Sequence, residues 1–587
     1  MKEKCSIAES EVFVLLRDKA GNWLYFKNPI RILETLHISE VLQILEEIEE
    51  IVRTGKWYAV GWIAYEASSA FDSAFSAKEG NHFPLVWFGI FSPPEKSTFL
   101  PLKISEGYSL EPWTSGWSKS QYSHAVNQIR TFIQNGETYQ VNFTFKLQSQ
   151  LTGNPLAWFW DLVRAHRPKY PAFLQTEKWI VCSASPELFF RLDGEKIISK
   201  PMKGTIARGR TFEEDKIRAS TLWHSPKDRA ENLMIVDMVR NDIGRIARFG
   251  TVRVNALYEV EKYPRVWQMT STIAGETKAS LVKIFQALFP PASITGAPKP
   301  RTTEIIASLE PGPRGVYCGA IGYLAPRRKA QFNVAIRTAV IHRDTRKVEY
   351  GTGGGIVWDS HPEKEYEECL LKADIVFKKE PEFSLLETLL WTPKEGYFLW
   401  DLHFQRLLSS AQYFDFPIDE KKWRDALEKE ARTFESVPHR VRLVISEQGI
   451  PSVESIPLSS LKSRSPLRLC LAKDPVDSSN RFLYHKTTFR KFYEEKLDGL
   501  PDCDDVILWN ERQEVTETTI GNIVIEWKGK YITPPVECGL LPGTFRAWLL
   551  QRGEIEEQVI SFEMLQKASA IYRINAVRKW ERGILFS

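Results

Sequence analysis

The sequence predicts an α+β protein with more than one domain. A chain of 587 residues is too long for a single hydrophobic core. Short apolar runs typical of strands, such as Val12–Leu16 and Trp23–Phe26, alternate with the stretch Ile38–Val52, whose apolar residues recur every three or four positions as in an amphipathic helix. The character of the sequence changes around Lys378–Pro381, and about 200 residues follow, which are enough for a further domain.

Composition argues against several classes of protein. With 43% apolar and 26% charged residues, the chain is typical of a globular protein. No apolar run approaches the ~20 residues that span a bilayer, and residues 1–20 lack the pattern of a secretory leader, so we expect a cytoplasmic protein without a membrane segment. A net charge of +4 gives no reason to expect nucleic acid as a partner. The seven cysteines contain no Cys-x-x-Cys pair, which predicts reduced thiols and no zinc site.

The amino-terminal part, up to about residue 112, shows no catalytic constellation. Gly61–Ala67 and Leu85–Phe91 are predicted strands. A helix is predicted to begin near Ser118 and to lead into a strand that contains Tyr139 and Asn142. These two residues belong either to the core or to a site, and we favour the structural role.

Lys203 lies in the basic stretch Ser199–Gly209. A proline two residues before it favours extended backbone, so the segment is predicted to be a strand end that leads into a tight turn at Gly204. Mutual repulsion among Lys203, Lys200 and Arg208 would lower the pKa of the least solvated amine, which favours a nucleophilic lysine. Taken alone, such a stretch is more often a solvated basic turn.

Two predicted helices carry candidate metal ligands. Glu231 lies off the apolar face of the first helix, and Glu365 and Glu368 share one face of the second. The apolar residues that predict the first helix are Leu233, Ile235, Val236 and Val239. Like charges that close destabilise a helix unless a cation lies between them, and Mg²⁺ prefers oxygen ligands, so the three glutamates indicate a magnesium site. Taken alone, Glu231 is more often a solvated glutamate than a metal ligand.

Five further motifs follow Lys203 in a fixed order. They are Ser293–Lys299, Arg314–Tyr323, Ala335–Thr338, Gly351–Ile356 and Glu363–Glu368. Together with the Lys203 stretch they resemble the chorismate-utilising enzymes, a family that includes anthranilate synthase component I, isochorismate synthase, salicylate synthase and aminodeoxychorismate synthase component I. The resemblance covers about residues 115–378. It implies that residues 1–115 and the catalytic part, residues 116–378, form one α+β unit of β-sheets flanked by helices.

The residue at position 203 indicates which members of this family the sequence resembles most. A lysine in the Pro-x-Lys-Gly-Thr context, where anthranilate synthases carry alanine, is similar to the aminodeoxychorismate synthase version. The resemblance implies that Lys203 attacks chorismate at C2 and that Glu187 acts as an acid or base near the C4 oxygen. It also implies that Mg²⁺, held by the three glutamates, bridges to the ring carboxylate.

An anion pocket is predicted for chorismate, which is a dianion. Arg337 offers a bidentate fork and Lys372 a point charge. The glycines that would let backbone N–H groups approach an oxyanion are Gly351, Gly353, Gly354 and Gly355. Thr295 and Gly296 match the ligand-contacting pair of the family. One departure is Gln268, which stands where many members have histidine; it cannot donate a proton as an acid, but hydrogen bonding to the leaving hydroxyl stays open.

A second set of motifs lies in residues 384–587. A pyridoxal phosphate (PLP) enzyme needs a lysine that bonds the cofactor, a carboxylate at its pyridine nitrogen and an anion cradle for its phosphate. The residues that can fill these roles are Lys486, Glu517, and Arg406 with Gly543 and Thr544. This ordered set resembles the two-subdomain fold-type IV PLP enzymes, namely branched-chain and D-amino acid aminotransferases and 4-amino-4-deoxychorismate lyase. Lys473 and Lys491 compete with Lys486 for the cofactor.

The two resemblances together imply a bifunctional enzyme of para-aminobenzoate synthesis. Chorismate would be aminated to 4-amino-4-deoxychorismate, which would then lose pyruvate. The alternatives are an anthranilate synthase-like enzyme fused to a branched-chain or D-amino acid aminotransferase-like domain, and a PLP half that only acts as a scaffold. No glutamine amidotransferase motif is visible, so ammonia is expected from solution or from a separate glutaminase subunit. Dimerisation of the PLP domain is left open.

Overall fold

The computed structural model divides the chain into two compact units. The first unit contains the described residues up to Ala207 together with Ala219–Glu380, and the second contains Arg208–Arg218 and the described residues from Pro381 onward. The structure describes residues 11–80, 82–102, 104, 107–377, 380–460, 465–498 and 502–586. The first ten residues, where no leader is predicted, and residues 378–379 at the predicted domain boundary lie outside this part.

The helices and strands up to Phe377 follow the predicted α+β pattern. The α-helices are α1 Val41–Thr54, α2 Ser68–Phe71, α3 Lys119–Gln134, α4 Pro155–His166, α5 Phe212–His224, α6 Pro226–Gly244, α7 Leu281–Leu288, α8 Lys299–Leu309 and α9 Pro362–Phe377. The strands are β1 Phe13–Arg17, β2 Trp23–Lys27, β3 Arg31–Thr35, β4 Tyr58–Ile63, β5 Val86–Phe91, β6 Glu95–Ser97, β7 Tyr108–Leu110, β8 Thr114–Ser115, β9 Gln140–Gly153, β10 Tyr170–Gln175, β11 Trp179–Ser185, β12 Leu188–Asp193, β13 Lys196–Lys200, β14 Met202–Ala207, β15 Arg253–Lys262, β16 Val266–Glu276, β17 Gly296–Ala297, β18 Ala320–Ala325, β19 Lys329–Val334, β20 Thr338–His342 and β21 Lys347–Ile356.

Two large sheets form the first unit. The first sheet has the order β17-β9-β21-β20-β11-β10-β1-β2-β6, with β7 and β8 also on β9, and the second has the order β14-β16-β13-β12-β19-β18-β4-β5-β3, with β15 also on β16. Strands from the amino-terminal part and from the catalytic part therefore share both sheets. The apolar face of α1, formed by Val41, Leu45, Ile48 and Val52, is buried in the core.

The second unit contains two smaller sheets, as expected for a two-subdomain fold. Its α-helices are α10 Trp400–Phe414, α11 Glu420–Ala431, α12 Lys491–Leu497, α13 Thr544–Gln551 and α14 Phe562–Lys567. Its strands are β22 Leu385–Thr392, β23 Gly396–Tyr397, β24 His439–Ile445, β25 Pro451–Pro457, β26 Leu467–Leu471, β27 Asp505–Trp509, β28 Val515–Thr518, β29 Asn522–Trp527, β30 Lys530–Thr533, β31 Glu556–Glu557, β32 Ala570–Asn575 and β33 Lys579–Leu585. The orders are β23-β22-β24-β25 and β28-β27-β26-β33-β32-β29-β30-β31.

Local sequence signals set several of these boundaries. Ser118 and Gln121 form a capping box at the start of α3, which confirms the predicted helix start. The sequence predicts that Val506–Glu517 form a hairpin with its turn at Asn510–Gln513. In the structure, the Gln513 amide donates to the Asn510 carbonyl at 2.9 Å, and Gln513 takes a positive φ of 62°. The side chain of Asn510 also accepts from the Glu514 amide at 3.0 Å, so this asparagine closes the turn from both ends.

Two expectations about side chains are wrong. Leu233 is exposed, while Ile235, Val236 and Val239 are buried, because α6 buries a narrower stripe than the apolar spacing predicts. Cys470 and Cys503 form a disulfide with their Cα atoms 5.9 Å apart, although reduced thiols were predicted. The parallel pairing of β26 with β27 brings these two residues together.

In the described part of the chain, no helix is long and apolar enough to cross a membrane.

Candidate active sites

Lys203 lies within strand β14, not at the strand end that the sequence predicts. β14 pairs with β16 on both sides of a register shift between Met202 and Thr205, so the extra residue forms a β-bulge instead of a turn. Gly204 takes a φ of +102° in this bulge, a conformation that favours glycine. Because pairing resumes after the bulge, the backbone around Lys203 is held by the sheet.

Burial is the main cause of the lowered pKa of the Lys203 amine. Glu231 raises this pKa in part, and Lys372 lowers it further. The Lys203 Nζ lies 3.6 Å from the Glu231 Oε2. The sequence predicted a different cause, repulsion from Lys200 and Arg208, and this prediction is wrong because both cations are paired with carboxylates. Lys200 pairs with Glu259 and Glu261. Arg208 pairs with Asp215 within the second unit.

The three predicted metal ligands, Glu231, Glu365 and Glu368, lie near Lys203 and Lys372. Burial and then Glu368 raise the pKa of Glu365, and Lys372 pairs with Glu368 at 2.8 Å. Among the described residues, no group of three His, Cys, Asp or Glu side chains is arranged to hold a metal ion. The donors are nevertheless carboxylates, which suit Mg²⁺. A cation there would neutralise the repulsion between Glu365 and Glu368 that Lys372 now neutralises.

The glycines of β21 allow these lysines to approach the sheet. A Cβ on Gly355 would lie 2.6 Å from the Lys203 Nζ, and one on Gly354 would lie 3.7 Å from the Lys372 Nζ and 3.5 Å from a Glu365 oxygen. A Cβ on Gly351 would collide with the Tyr317 ring, and one on Gly353 with the β9 backbone. β21 therefore brings Lys203, Lys372 and Glu365 to one short segment of backbone.

Gln140 is a site residue that sequence reasoning missed. Its side chain is fully buried, and neither amide atom has a hydrogen-bond partner in the described part of the protein. Its Nε2 lies 2.9 Å from the position of a Cβ on Gly355, close to Lys203. Tyr139, which the sequence suggested for core or site, is 71% exposed. Tyr139 and Gln140 are consecutive where the chain enters β9, and consecutive side chains of extended backbone point in opposite directions. This alternation is the signal in the sequence that could have identified Gln140.

The predicted acid Glu187 is buried between β11 and β12. Burial raises its pKa to about 7, and a hydrogen bond from Ser293 opposes this rise. The Ser293 Oγ donates to the Glu187 Oε1 at 2.6 Å. Lys203 is also near enough to lower the Glu187 pKa. A carboxyl group with a pKa near neutrality can donate a proton at physiological pH.

Of three predicted chorismate ligands, Arg337 and Thr295 lie between strands, and Gly296 begins β17. Burial lowers the pKa of Arg337, and no carboxylate among the described residues lies within ion-pair distance of it. Arg337 takes a positive φ of 51° between β19 and β20. Thr295 is buried and donates its hydroxyl to the Pro291 carbonyl at 2.9 Å, and Gly296 pairs with Val141 on β9. A buried guanidinium of this kind suits a carboxylate ligand.

In the second unit, Lys486 and Glu517 line a cavity of about 580 Å³. Burial, followed by Arg406, lowers the Lys486 pKa to about 8, and burial raises the Glu517 pKa to about 8. Glu517 accepts from the Tyr493 hydroxyl at 2.6 Å and from the Leu541 amide at 3.2 Å. The competing lysines, Lys473 and Lys491, are exposed. Of the three candidates, Lys486 is therefore the least exposed lysine and the one that lines the cavity.

The predicted phosphate cradle lies at the same cavity. Arg406 binds Glu387 through two hydrogen bonds of 2.9 and 2.6 Å, and this carboxylate, which sequence reasoning missed, also contacts His403 at 2.7 Å. The Thr544 hydroxyl lies 3.2 Å from the His403 Nε2. Gly543 caps α13, and a Cβ there would collide with the Asn522 side chain. The Lys486 amine, the Glu517 carboxylate and the start of α13 at Gly543 together fit pyridoxal phosphate.

A group of arginines lines the same cavity. Arg440 and Arg442 lie on β24, and Arg578 follows β32. Burial lowers the Arg440 pKa, and Arg442 and Arg578 lower it further. The Arg440 Nε is buried without a hydrogen-bond partner among the described residues. Sequence reasoning missed this cluster, although Arg440 and Arg442 are two positions apart on β24 and therefore lie on the same face of the strand.

Comparison with known proteins gives separate matches for the two halves. Residues 100–378 match the family described as chorismate binding enzyme, and residues 384–582 match amino-transferase class IV. The aminodeoxychorismate synthase component 1 of Bacillus subtilis (strain 168) is 38% identical over 298 residues, which cover 50% of this chain and 62% of that protein. The anthranilate synthase component 1 of Aquifex aeolicus (strain VF5) is 36% identical over 284 residues, or 48% of this chain and 57% of that protein.

Among solved structures, the chain is similar to anthranilate synthase component I from Streptococcus pneumoniae TIGR4. The TM-score is 0.52 at 22% identity, and the match covers 64% of this chain and 93% of that one. This likeness shows the fold of the first unit. The chain spans about three fifths of the length of the curated relatives named here.

Proposed function

Because the chain joins a chorismate binding enzyme domain to an amino-transferase class IV domain, we propose that it makes 4-aminobenzoate from chorismate in two steps. The first unit replaces the C4 hydroxyl of chorismate by an amino group. The second unit removes pyruvate from the resulting 4-amino-4-deoxychorismate. The observation that carries the proposal is Lys203, a half-buried amine with a lowered pKa beside the glycines of β21. The similarity to an aminodeoxychorismate synthase component 1 supports it.

In the first step, the neutral Lys203 amine forms a bond to C2 of chorismate as the C4–O bond breaks. Glu187 donates the proton that lets the hydroxyl leave as water, in keeping with its pKa of about 7. Ammonia then bonds to C4, the C2–N bond breaks, and Lys203 is released. Arg337 and Lys372 bind the substrate carboxylates. Glu231, Glu365 and Glu368 would hold Mg²⁺, which supplies positive charge at the ring carboxylate when bound.

Thr295, Gly296, Gly351, Gly353 and Gly354 line the first site in this proposal. At Gly354 a Cβ would meet the charged ends of Glu365 and Lys372 and not packed backbone, so the substrate ring can lie against β21 at this glycine. The buried amide of Gln140 has both of its atoms available for a ligand. An unsatisfied buried amide is costly, so a polar ligand that bonds it gains affinity and specificity.

In the second step, Lys486 moves the ring proton whose loss makes the product aromatic. Pyridoxal phosphate, which the class IV domain implies, supplies an electron-withdrawing ring when bound. Lys486 would hold it covalently, Glu517 would pair with its pyridine nitrogen, and Arg406, Gly543 and Thr544 would bind its phosphate. The pKa of Lys486, about 8, leaves a fraction of the amine neutral at physiological pH.

The arginine cluster favours the lyase over a branched-chain aminotransferase. Arg440, Arg442 and Arg578 place three positive charges on the cavity wall. An aliphatic side chain gains nothing from such a wall, whereas 4-amino-4-deoxychorismate carries two carboxylates. The proposed substrate of the second unit is therefore the dianionic product of the first.

Ammonia comes from a separate glutamine amidotransferase subunit in this proposal, and the site of action is the cytoplasm. The designation "component 1" of the relative supports a two-component arrangement. Dimerisation of the PLP domain is not assigned.

Product identification tests the proposed function. The purified protein is incubated with chorismate, Mg²⁺, ammonium and pyridoxal phosphate, and the products are separated by mass spectrometry. Formation of 4-aminobenzoate with an equal amount of pyruvate supports it. Formation of anthranilate, or of no aromatic amine, contradicts it.

A further inference from the structure

The backbone of the Lys203 bulge is held by side chains as well as by the sheet. Gln268, buried on β16, donates from its Nε2 to the Gly204 carbonyl at 2.8 Å. Its Oε1 accepts from the Thr205 hydroxyl at 2.9 Å. A single primary amide thus binds the two residues that follow Lys203. The register shift leaves backbone groups here without regular ladder partners, and such groups must be satisfied by side chains or water.

Asn232 holds the other side of the bulge. Its Nδ2 donates to the Lys203 carbonyl at 3.1 Å, and its Oδ1 accepts from the Ser271 hydroxyl at 2.6 Å. Ser271 in turn accepts from the Tyr258 amide at 3.1 Å. Asn232 and Ser271 are buried, so these bonds are shielded from water. The network ties β14 to α6, β16 and β15.

We propose that Gln268 and Asn232 form an amide clamp that positions Lys203 for attack on the substrate. The clamp is defined by these two side chains and by the carbonyls of Lys203 and Gly204. It deepens the proposed function and rests on the assignment of Lys203 as nucleophile. Gln268 and Asn232 are positioning residues: they bond the backbone carbonyls of Gly204 and Lys203 and not the reacting atoms.

The need for a clamp follows from the bulge itself. Gly204 has wide conformational freedom, and its φ of +102° is one of several that a glycine can take. Rotation there would swing the Lys203 side chain away from Gly355 and Glu231. A displacement of about 1 Å at a reacting group can cost on the order of 100-fold in rate. Amides suit this task because they do not titrate, so the clamp holds at any pH.

The sequence left open whether Gln268 bonds the leaving hydroxyl of the substrate, and its hydrogen bonds show what its amide contacts in the structure. Its amide oxygen accepts from Thr205 and its amide nitrogen donates to Gly204. These contacts use one N–H and one lone pair of the amide to bond the residues next to Lys203. The place that carries histidine in many relatives therefore serves the backbone of the nucleophile in this chain.

Gln268→Met is the direct test, with Gln331→Met as its matched control. Methionine has the length of glutamine but cannot form these hydrogen bonds. Gln331 is also a buried glutamine of the second sheet, and its Nε2 also donates to a carbonyl at 2.8 Å, that of Arg17. We expect Gln268→Met to lower kcat for chorismate amination about 10- to 100-fold with KM changed less than about threefold. Gln331→Met should leave kcat within about twofold.

Parent-like kcat in Gln268→Met overturns the clamp, and so does an equal loss in Gln331→Met, which would indicate a general effect of a buried polar deletion. If Gln268→Met does not fold, Thr205→Val decides, because this exposed residue loses only the hydroxyl that donates to Gln268. We expect a severalfold lower kcat at unchanged KM, and an unchanged kcat refutes the clamp. Lys203→Ala, measured in parallel, separates the failures: full activity there refutes the nucleophile itself.

Discussion

Lys203 and Lys486 are both half-buried lysines with lowered pKa values, yet their surroundings differ. Lys203 has a carboxylate 3.6 Å from its Nζ, lies on a β-bulge, and faces β21. Lys486 has no carboxylate within ion-pair distance among the described residues, and it precedes α12 at the wall of a cavity of about 580 Å³.

This difference matches the two kinds of chemistry proposed. A lysine that attacks a substrate directly needs a fixed backbone and a nearby acid, and Glu187 with its pKa of about 7 fits the second need. A lysine that bonds a cofactor needs room and a partner for the far end of that cofactor, and Glu517, which lines the same cavity, is the partner proposed here. Burial lowers the pKa of both amines, so the pKa alone does not separate their roles.

The strongest way to break the comparison is Lys203→Ala. We expect amination of chorismate to fall at least about 1,000-fold, because the nucleophile is lost. Conversion of added 4-amino-4-deoxychorismate to 4-aminobenzoate should stay at the parent rate, since Lys486 is unchanged. Both rates are measured by chromatography on one preparation. A lyase rate that falls in parallel would show that the two lysines do not serve separate reactions.

Glu517→Ala should give the next largest effect, about 100-fold on the elimination rate. The carboxylate keeps the pyridine nitrogen of the cofactor protonated, and its loss weakens the ring as an electron sink. Attachment of pyridoxal phosphate to Lys486 should persist, as measured by peptide mapping after borohydride reduction. Loss of attachment together with activity would instead indicate that Glu517 only supports the fold.

Arg442→Met sharpens the claim that the second cavity takes a dianion. We expect KM for 4-amino-4-deoxychorismate to rise about tenfold with a smaller change in kcat, because a charge-assisted contact contributes roughly 1.5–3 kcal/mol. Arg582→Met, at an exposed position of β33, is the control and should change neither constant. An unchanged KM in Arg442→Met would reopen the aminotransferase alternative.

The smallest expected effect concerns pH. The folded pKa of Lys486 is about 8, below its usual 10.5, and only the neutral amine bonds the cofactor. The attachment rate of pyridoxal phosphate to the apoprotein should therefore rise with pH up to about 8 and level off above it. Stopped-flow absorbance from pH 6 to 10 measures it. A rate that continues to climb towards pH 10 would mean that burial does not lower this pKa.

Sequence reasoning found the residues that local pattern fixes. The capping box at Ser118 and the hairpin turn at Asn510 depend on neighbours within a few positions, so both could be predicted. Lys203 and Lys486 could be found because each stands within an ordered series of motifs.

Residues that depend on strand pairing could not be predicted. Gln140 becomes a site residue because β9 pairs with β21, and Glu387 binds Arg406 because helix α10 packs against β22. The bulge at Gly204 depends on the register of β14 against β16, which the sequence of either strand alone does not determine. The Cys470–Cys503 disulfide likewise depends on the pairing of β26 with β27.

The most direct test of two separate lysine sites is the product of Lys486→Ala. The variant is given chorismate, ammonium, Mg²⁺ and pyridoxal phosphate, and the reaction is followed by mass spectrometry. The account predicts that 4-amino-4-deoxychorismate accumulates at the parent rate of amination while 4-aminobenzoate and pyruvate are absent. Formation of 4-aminobenzoate at the parent rate, or failure to aminate chorismate in a folded variant, would contradict it.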